Sequence, residues 1–160
     1  KGSKVLMVDL DLRKAALSRR MKADGPGASE YLNGKSTDLG QSLIETAPEL
    51  YLLPAGKLPP NPTELLLSSR FAEMIAVLRG EYDYIFLDCP PVDMVADASI
   101  ITAAADLTVF VIRAGTLDRK WLEYLEGLYD SGKYAHMAVL LNGVDMKLGK
   151  YGYGNYFFDF

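Results

Sequence analysis

The chain has a single cysteine and a single histidine, and each scarcity removes a class of chemistry. Cys89 alone supports neither a disulfide framework nor a cysteine-based metal site, and a lone thiol suits a reducing compartment. Beside Asp88 its thiolate is disfavoured, so a small core residue is expected rather than a nucleophile. His136 opens an apolar run, where a bonded structural role is expected. Basic blocks are missing and the net charge is −4, which leaves no electrostatic footprint for nucleic acid. Long apolar runs are missing too: "ASIITAAADLTVFVI" is interrupted by Asp106, short of the ~20 residues a membrane helix needs. Nothing reads as a cleaved secretion signal. What is there is a chain of 160 residues, nearly half apolar and a quarter charged, the composition of one ordinary globular domain. It contains no internal repeat.

Strand-like and helix-like segments alternate. "KVLMVDL" is a short apolar run, followed by the helically spaced "RKAALSRRM". Residues 22–40, with Gly25, Pro26, Gly27 and Gly34, read as loop with one short helix at Ala28 to Leu32. "ELYLLPAG" reads as a strand. Pro62 then precedes a helix whose Leu67, Phe71, Met74 and Leu78 recur three or four apart, with Gly80 closing it. "YDYIFLDCPP" is a strand stopped by two prolines, and "DASIITAAAD" a helix. The strand "LTVFVIRAG", the helix "DRKWLEYLEGLYDSG" and the strand "HMAVLLNGVD" follow. Short β-rich runs interleaved with helices call for an α/β fold, a doubly wound, mostly parallel sheet covered on both faces. The domain is expected over residues 1–146, with 147–160 as a tyrosine- and glycine-rich tail.

Ligands bind beyond the carboxyl ends of the strands in such sheets. Asp9 and Asp11 stand at one such end and Asp88 at another. Residues two apart in extended chain face one way, so Asp9 and Asp11 aim together if the extension persists. Carboxylates from neighbouring strands, about 4.8 Å apart, can share one cation, for which Mg²⁺ is the obvious candidate. The alternative is plain capping, with Asp11 starting the next helix and Asp88 bonded to loop backbone. Composition leaves both open.

"KVLMVDLDLRK" resembles the second acidic signature, Walker A-prime, of the bacterial protein-tyrosine kinases of the capsule and exopolysaccharide type. "YDYIFLDCPP" resembles their Walker B strand, "LLPAGKLPPNPTELL" their proline-rich segment, and "LLNGVD" followed by "YGYGNY" their last strand and tail. The motifs occur in the family's order and span essentially the whole chain. The resemblance implies a P-loop NTPase-like fold, ATP and Mg²⁺ as cofactors, and tyrosine autophosphorylation. It assigns Asp9 and Asp88 to the Mg²⁺ shell, with three carboxylates sufficing for the cation. Asp11 becomes a ligand organiser or proton acceptor beside the incoming tyrosine. Arg13 is placed near phosphate or an acidic neighbour, and Asn142 with Asp145 near the adenine. Tyr151, Tyr153 and Tyr156 become phosphoacceptors that enter a neighbouring subunit's site within a ring. A membrane-spanning polysaccharide-export module is the implied partner, and the inner face of the cell membrane the implied location.

One departure stands out. The family's glycine-rich loop, G-x-x-x-x-G-K-[ST], supplies backbone amides and a lysine to the phosphates. No such sequence occurs here, and "KGSK" lies at the start of a strand rather than between strand and helix. The expectation is a fragment, inactive alone, whose missing strand would lie beside the strand bearing Asp9 and whose absence would leave strand edges unpaired. In the tail, Phe157, Phe158 and Phe160 stand where more tyrosines are expected. Two other classes share these motifs in part: a non-kinase ATPase switch of the partition or cell-division type, and a nucleotide-free pseudokinase scaffold.

Overall fold

Val5–Asp9 forms strand β1, and it runs inside a sheet rather than along its edge. The sheet's order is β2-β3-β1-β4, with β2 at Ile44–Ala47, β3 at Leu50–Leu53 and β4 at Tyr84–Asp88. β1 pairs in parallel with β3 on one side and β4 on the other, while β2 runs antiparallel to β3. The strand bearing Asp9 is therefore paired on both sides. Among the described residues the sheet's outer strands are β2 and β4 instead.

The computed structural model describes residues 2–92, 96–116, 118, 120–134 and 136–144. It comprises two units, one ending at Ala105 and the other beginning at Asp106. In the first, the sheet is accompanied by α1 (Ala16–Arg20), α2 (Ala28–Leu32), α3 (Pro62–Leu66), α4 (Ser69–Arg79) and α5 (Asp97–Thr102). Leu6, Val8, Leu53, Leu66, Met74 and Ile101 form the centre of its core, each with almost no exposed surface. Burying an aliphatic side chain fully is worth ~1.5–3 kcal/mol, so this cluster is the main support for the strand that ends at Asp9.

Two local readings are corrected. β2 gives no sequence signal, because an edge strand whose four positions are mostly exposed carries no alternation of apolar and polar residues. The helix expected after Pro62 is two helices. Ser68 takes extended backbone (φ −72°, ψ 155°), and its hydroxyl donates back to the Leu65 carbonyl at 2.6 Å, which closes α3. Leu67 falls at the break and is 67% exposed, whereas Phe71, Met74, Ile75 and Leu78 form the buried stripe of α4.

The second unit holds β5 (Thr108–Arg113), α6 (Lys120–Asp130) and β6 (Met137–Asn142), with the two strands parallel from Thr108–Met137 to Arg113–Asn142. Phe110 and Tyr134 pack edge to face, 5.2 Å between ring centres. Tyr84 and Phe86 on β4, and Val109 and Val111 on β5, are exposed. Within its own sheet each of these strands lies at the margin, where neighbours are fewest. Among the described residues no helix is long and apolar enough to cross a membrane.

Candidate active site

Asp9 and Asp88 are the last residues of β1 and β4, and the parallel register sets them side by side. The strand stops there. Leu10 still donates its amide to the Asp88 carbonyl (2.9 Å), but Asp11 turns back and donates its own amide to Asp9 Oδ1 (3.1 Å). The pattern then repeats, with the Arg13 and Lys14 amides donating to Asp11 Oδ1 at 3.3 and 3.1 Å. Aspartates favour this geometry because their carboxylate can accept from the backbone two residues on. The extended spacing that would aim Asp9 and Asp11 together is thus replaced by two consecutive turns.

Asp9 is sealed in, with no exposed surface. Its Oδ2 accepts from both the amide (2.8 Å) and the hydroxyl (2.6 Å) of Ser18, one turn into the following helix. Asp11 is 6% exposed and keeps an oxygen without a described partner, since its bonds fall on Oδ1. Asp88 differs from both. Among the described residues its carboxyl accepts no hydrogen bond, and its proton affinity is raised, first by burial and then by the charges of Asp9 and Asp11. The same surroundings push the Cys89 thiol up to about 12, again burial first, then Asp88 and Asp11. Negative charge is therefore concentrated at the strand ends, and among the described residues no salt bridge from Asp9, Asp11 or Asp88 offsets it. Capping and charge clustering coexist: Asp9 and Asp11 bond the turn, and Asp88 is left over.

Hard oxygen donors of this kind fit Mg²⁺, which takes one or two carboxylates and keeps several waters. Among the described residues no three His, Cys, Asp or Glu side chains converge to hold a metal directly. Asp88, and the oxygen of Asp11 that carries no described bond, are the least committed donors; Asp9 is fully buried and accepts one bond on Oδ1 and two on Oδ2, which still leaves Oδ1 acceptor capacity.

Arg13 turns toward an acidic neighbour. Its Nε donates to Asp97 Oδ2 at 2.8 Å, and its Nη2 to Thr63 Oγ1 at 3.0 Å. Burial pushes Asp97 up, but the bonds from Arg13 and Thr63, with the Arg13 charge, hold it below the usual carboxylate range. Ser18, Thr63 and Asp97 were not singled out by sequence. The available signal for Ser18 was its place three residues after the buried Ala15, an inward position where a hydroxyl needs a partner.

Tyrosine-protein kinase CpsD of Streptococcus agalactiae is 39% identical over 159 residues, covering 97% of this chain and 69% of that protein. The chain belongs to the bacterial tyrosine-protein kinase family. Against the solved kinase domain of the Escherichia coli tyrosine kinase ETK, this kinase-family chain superposes with a TM-score of 0.81 at 26% identity, covering 97% of itself and 62% of that domain. The septum site-determining protein MinD of Pyrococcus horikoshii, solved with Mg-ADP, matches at a TM-score of 0.68 and 23% identity over 88% of the chain and 58% of its own. That likeness shows the P-loop NTPase-like fold alone. No protein-family model matches. The kinase chain spans about two thirds of the CpsD length. In its second unit, Asn142 ends β6, exposed, with its side-chain oxygen accepting the Gly143 amide at 2.8 Å. Asp145, Tyr151, Tyr153 and Tyr156 lie outside the described residues.

Proposed function

We propose that the chain is the acidic half of an ATP- and Mg²⁺-dependent tyrosine autokinase, with Tyr151, Tyr153 and Tyr156 as its phosphoacceptors. The reading is supported above all by Asp9 and Asp88 meeting in register at the carboxyl ends of adjacent parallel strands, in a chain of a tyrosine-kinase family. Bound there, Mg²⁺ neutralises charge on the phosphates during transfer. Asp9 and Asp88 hold its hydrated shell, and the free oxygen of Asp11 stays available to the incoming tyrosine. Asp9, fixed by Ser18, holds the turn that presents Asp11. Asp11 then accepts the proton as the tyrosine oxygen bonds to the terminal phosphorus and ADP leaves. Asn142 and Asp145 serve the adenine.

The tail is modified in trans within a ring of copies, and each phosphate adds roughly −1.5 to −2 charges that loosen the ring by repulsion. The activity controls capsular or exopolysaccharide synthesis and export beside a membrane-spanning module, at the inner face of the cell membrane. No glycine-rich phosphate loop occurs within the 160 residues. This chain by itself is therefore inactive. The test is to incubate the full-length protein with ATP and Mg²⁺ and map phosphate by mass spectrometry. Modification at the three tail tyrosines, lost in Asp88→Asn, is the expected result. ATP hydrolysis without phosphotyrosine would point to a switch ATPase and overturn the kinase reading.

A further inference from the structure

A cluster of negative charge draws in whatever cation is tethered nearby, and Arg13 stands two residues beyond Asp11. Yet its guanidinium is committed elsewhere. Nε donates to Asp97 Oδ2 at 2.8 Å, and Nη2 to Asp97 Oδ1 at 3.4 Å and to Thr63 Oγ1 at 3.0 Å. The Thr63 hydroxyl donates in turn to Asp97 Oδ1 at 2.6 Å, closing a ring of three side chains. The acceptor is no surface accident: the Asp97 side chain is 2% exposed, while Arg13's remains 40% exposed and approaches from outside. A planar guanidinium held by two carboxylate oxygens and a hydroxyl is fixed in direction as well as in place.

The acceptors stand on elements that hold them still. Thr63 is the second residue of α3, whose start is set by Pro62, and Asp97 opens α5, against which α3 packs. Arg13 still senses the acidic turn. Its own proton affinity is raised, chiefly by the Asp97 bond, against some desolvation, and then by the charges of Asp97 and Asp11.

We propose that Asp97 and Thr63 are positioning residues that withhold Arg13 from the acidic cluster, keeping Asp11 and Asp88 open to a hydrated divalent cation. The functional consequence rests on the Mg²⁺ reading above, while the whereabouts of Arg13 can be tested without it. A released guanidinium within ~4–6 Å of a carboxylate favours its charged form by one to three decades. It would compete with the metal for the same oxygens. Withholding therefore makes a prediction that simple structural support does not: removing the acceptor harms metal binding, and removing the arginine as well repairs it.

The test uses the full-length protein as Asp97→Asn and as the double variant Asp97→Asn with Arg13→Gln. Mg²⁺ binding is measured by calorimetry in the presence of ADP, and the Asp97→Asn crystal structure locates Arg13. The expected result is Arg13 turned onto Asp11 or Asp88, Mg²⁺ affinity down about tenfold, and recovery to within about threefold in the double variant. Should Asp97→Asn not fold, Thr63→Val carries the same two measurements with a smaller shift in the same direction. Arg13 still bound at Thr63 with unchanged Mg²⁺ affinity, or a double variant as weak as the single, overturns the proposal. A wild-type protein that binds no Mg²⁺ with ADP refutes the magnesium reading, and the position of Arg13 in Asp97→Asn then decides this one.

Discussion

The Ser18 hydroxyl donates to Asp9 Oδ2 at 2.6 Å and accepts the Ala55 amide at 2.9 Å, so one buried oxygen ties the end of β1 to the loop leaving β3. Ser18→Ala leaves the Ala55 amide unsatisfied and removes a donor from a buried carboxylate. The expected loss is about 1–3 kcal/mol, read by urea denaturation. A change below about 0.5 kcal/mol would mean that water replaces the hydroxyl freely.

Two glycines separate close approach from mere backbone freedom. A Cβ on Gly27 would collide with the Pro54 carbonyl and lie 2.6 Å from the Gly56 amide nitrogen, both of them backbone. Gly34, at φ 79°, has open space around it. Gly27→Ala should therefore cost about 3 kcal/mol or more, and Gly34→Ala only about 1 kcal/mol from its left-handed conformation. Equal melting temperatures for the two variants would contradict the packing of α2 on the loop after β3.

The helix break can be checked in the same way. Truncating buried Phe71 to Ala should cost about 3–5 kcal/mol, while Leu67→Ala, at an exposed position, should stay within about 0.5 kcal/mol. A large effect at Leu67 would restore the single continuous helix.

Acid and base act oppositely on the two sides of the site. Asp88, raised above its ordinary 3.8, favours the folded state below that value and weakens it as pH rises through the higher folded value. Without divalent cation, Asp88→Asn should thus be more stable than the parent at neutral pH, the difference vanishing below about pH 4. Asp97 is lowered and behaves in reverse: its contribution is present above 3.8 and is lost as pH falls through its depressed value. Thermal melts of Asp88→Asn and Asp97→Asn against pH should therefore diverge from the parent with opposite signs at pH 7.

Much of this arrangement was legible before any coordinates. The short helix at Ala28–Leu32, the acidic ends of β1 and β4 and the stripe Phe71, Met74 and Leu78 follow from local periodicity and turn residues. What escaped depends on contacts between distant segments. β2 exists through its pairing with β3, Leu67 is exposed because Ser68 bends the chain, and Thr63 and Asp97 meet across 34 positions. The direction of Asp11 was missed for a nearer reason: the side chain of Asp9 captures the next turn, which no alternation pattern encodes.

Because β1 carries a hydrogen-bond ladder on each flank, its tip cannot shift without tearing two rows of bonds at once. That makes the acidic end a fixed anvil. On the kinase reading proposed above, whatever travels during a reaction cycle has to arrive at Asp88 and Asp11 from outside, and the strand itself takes no part in the stroke.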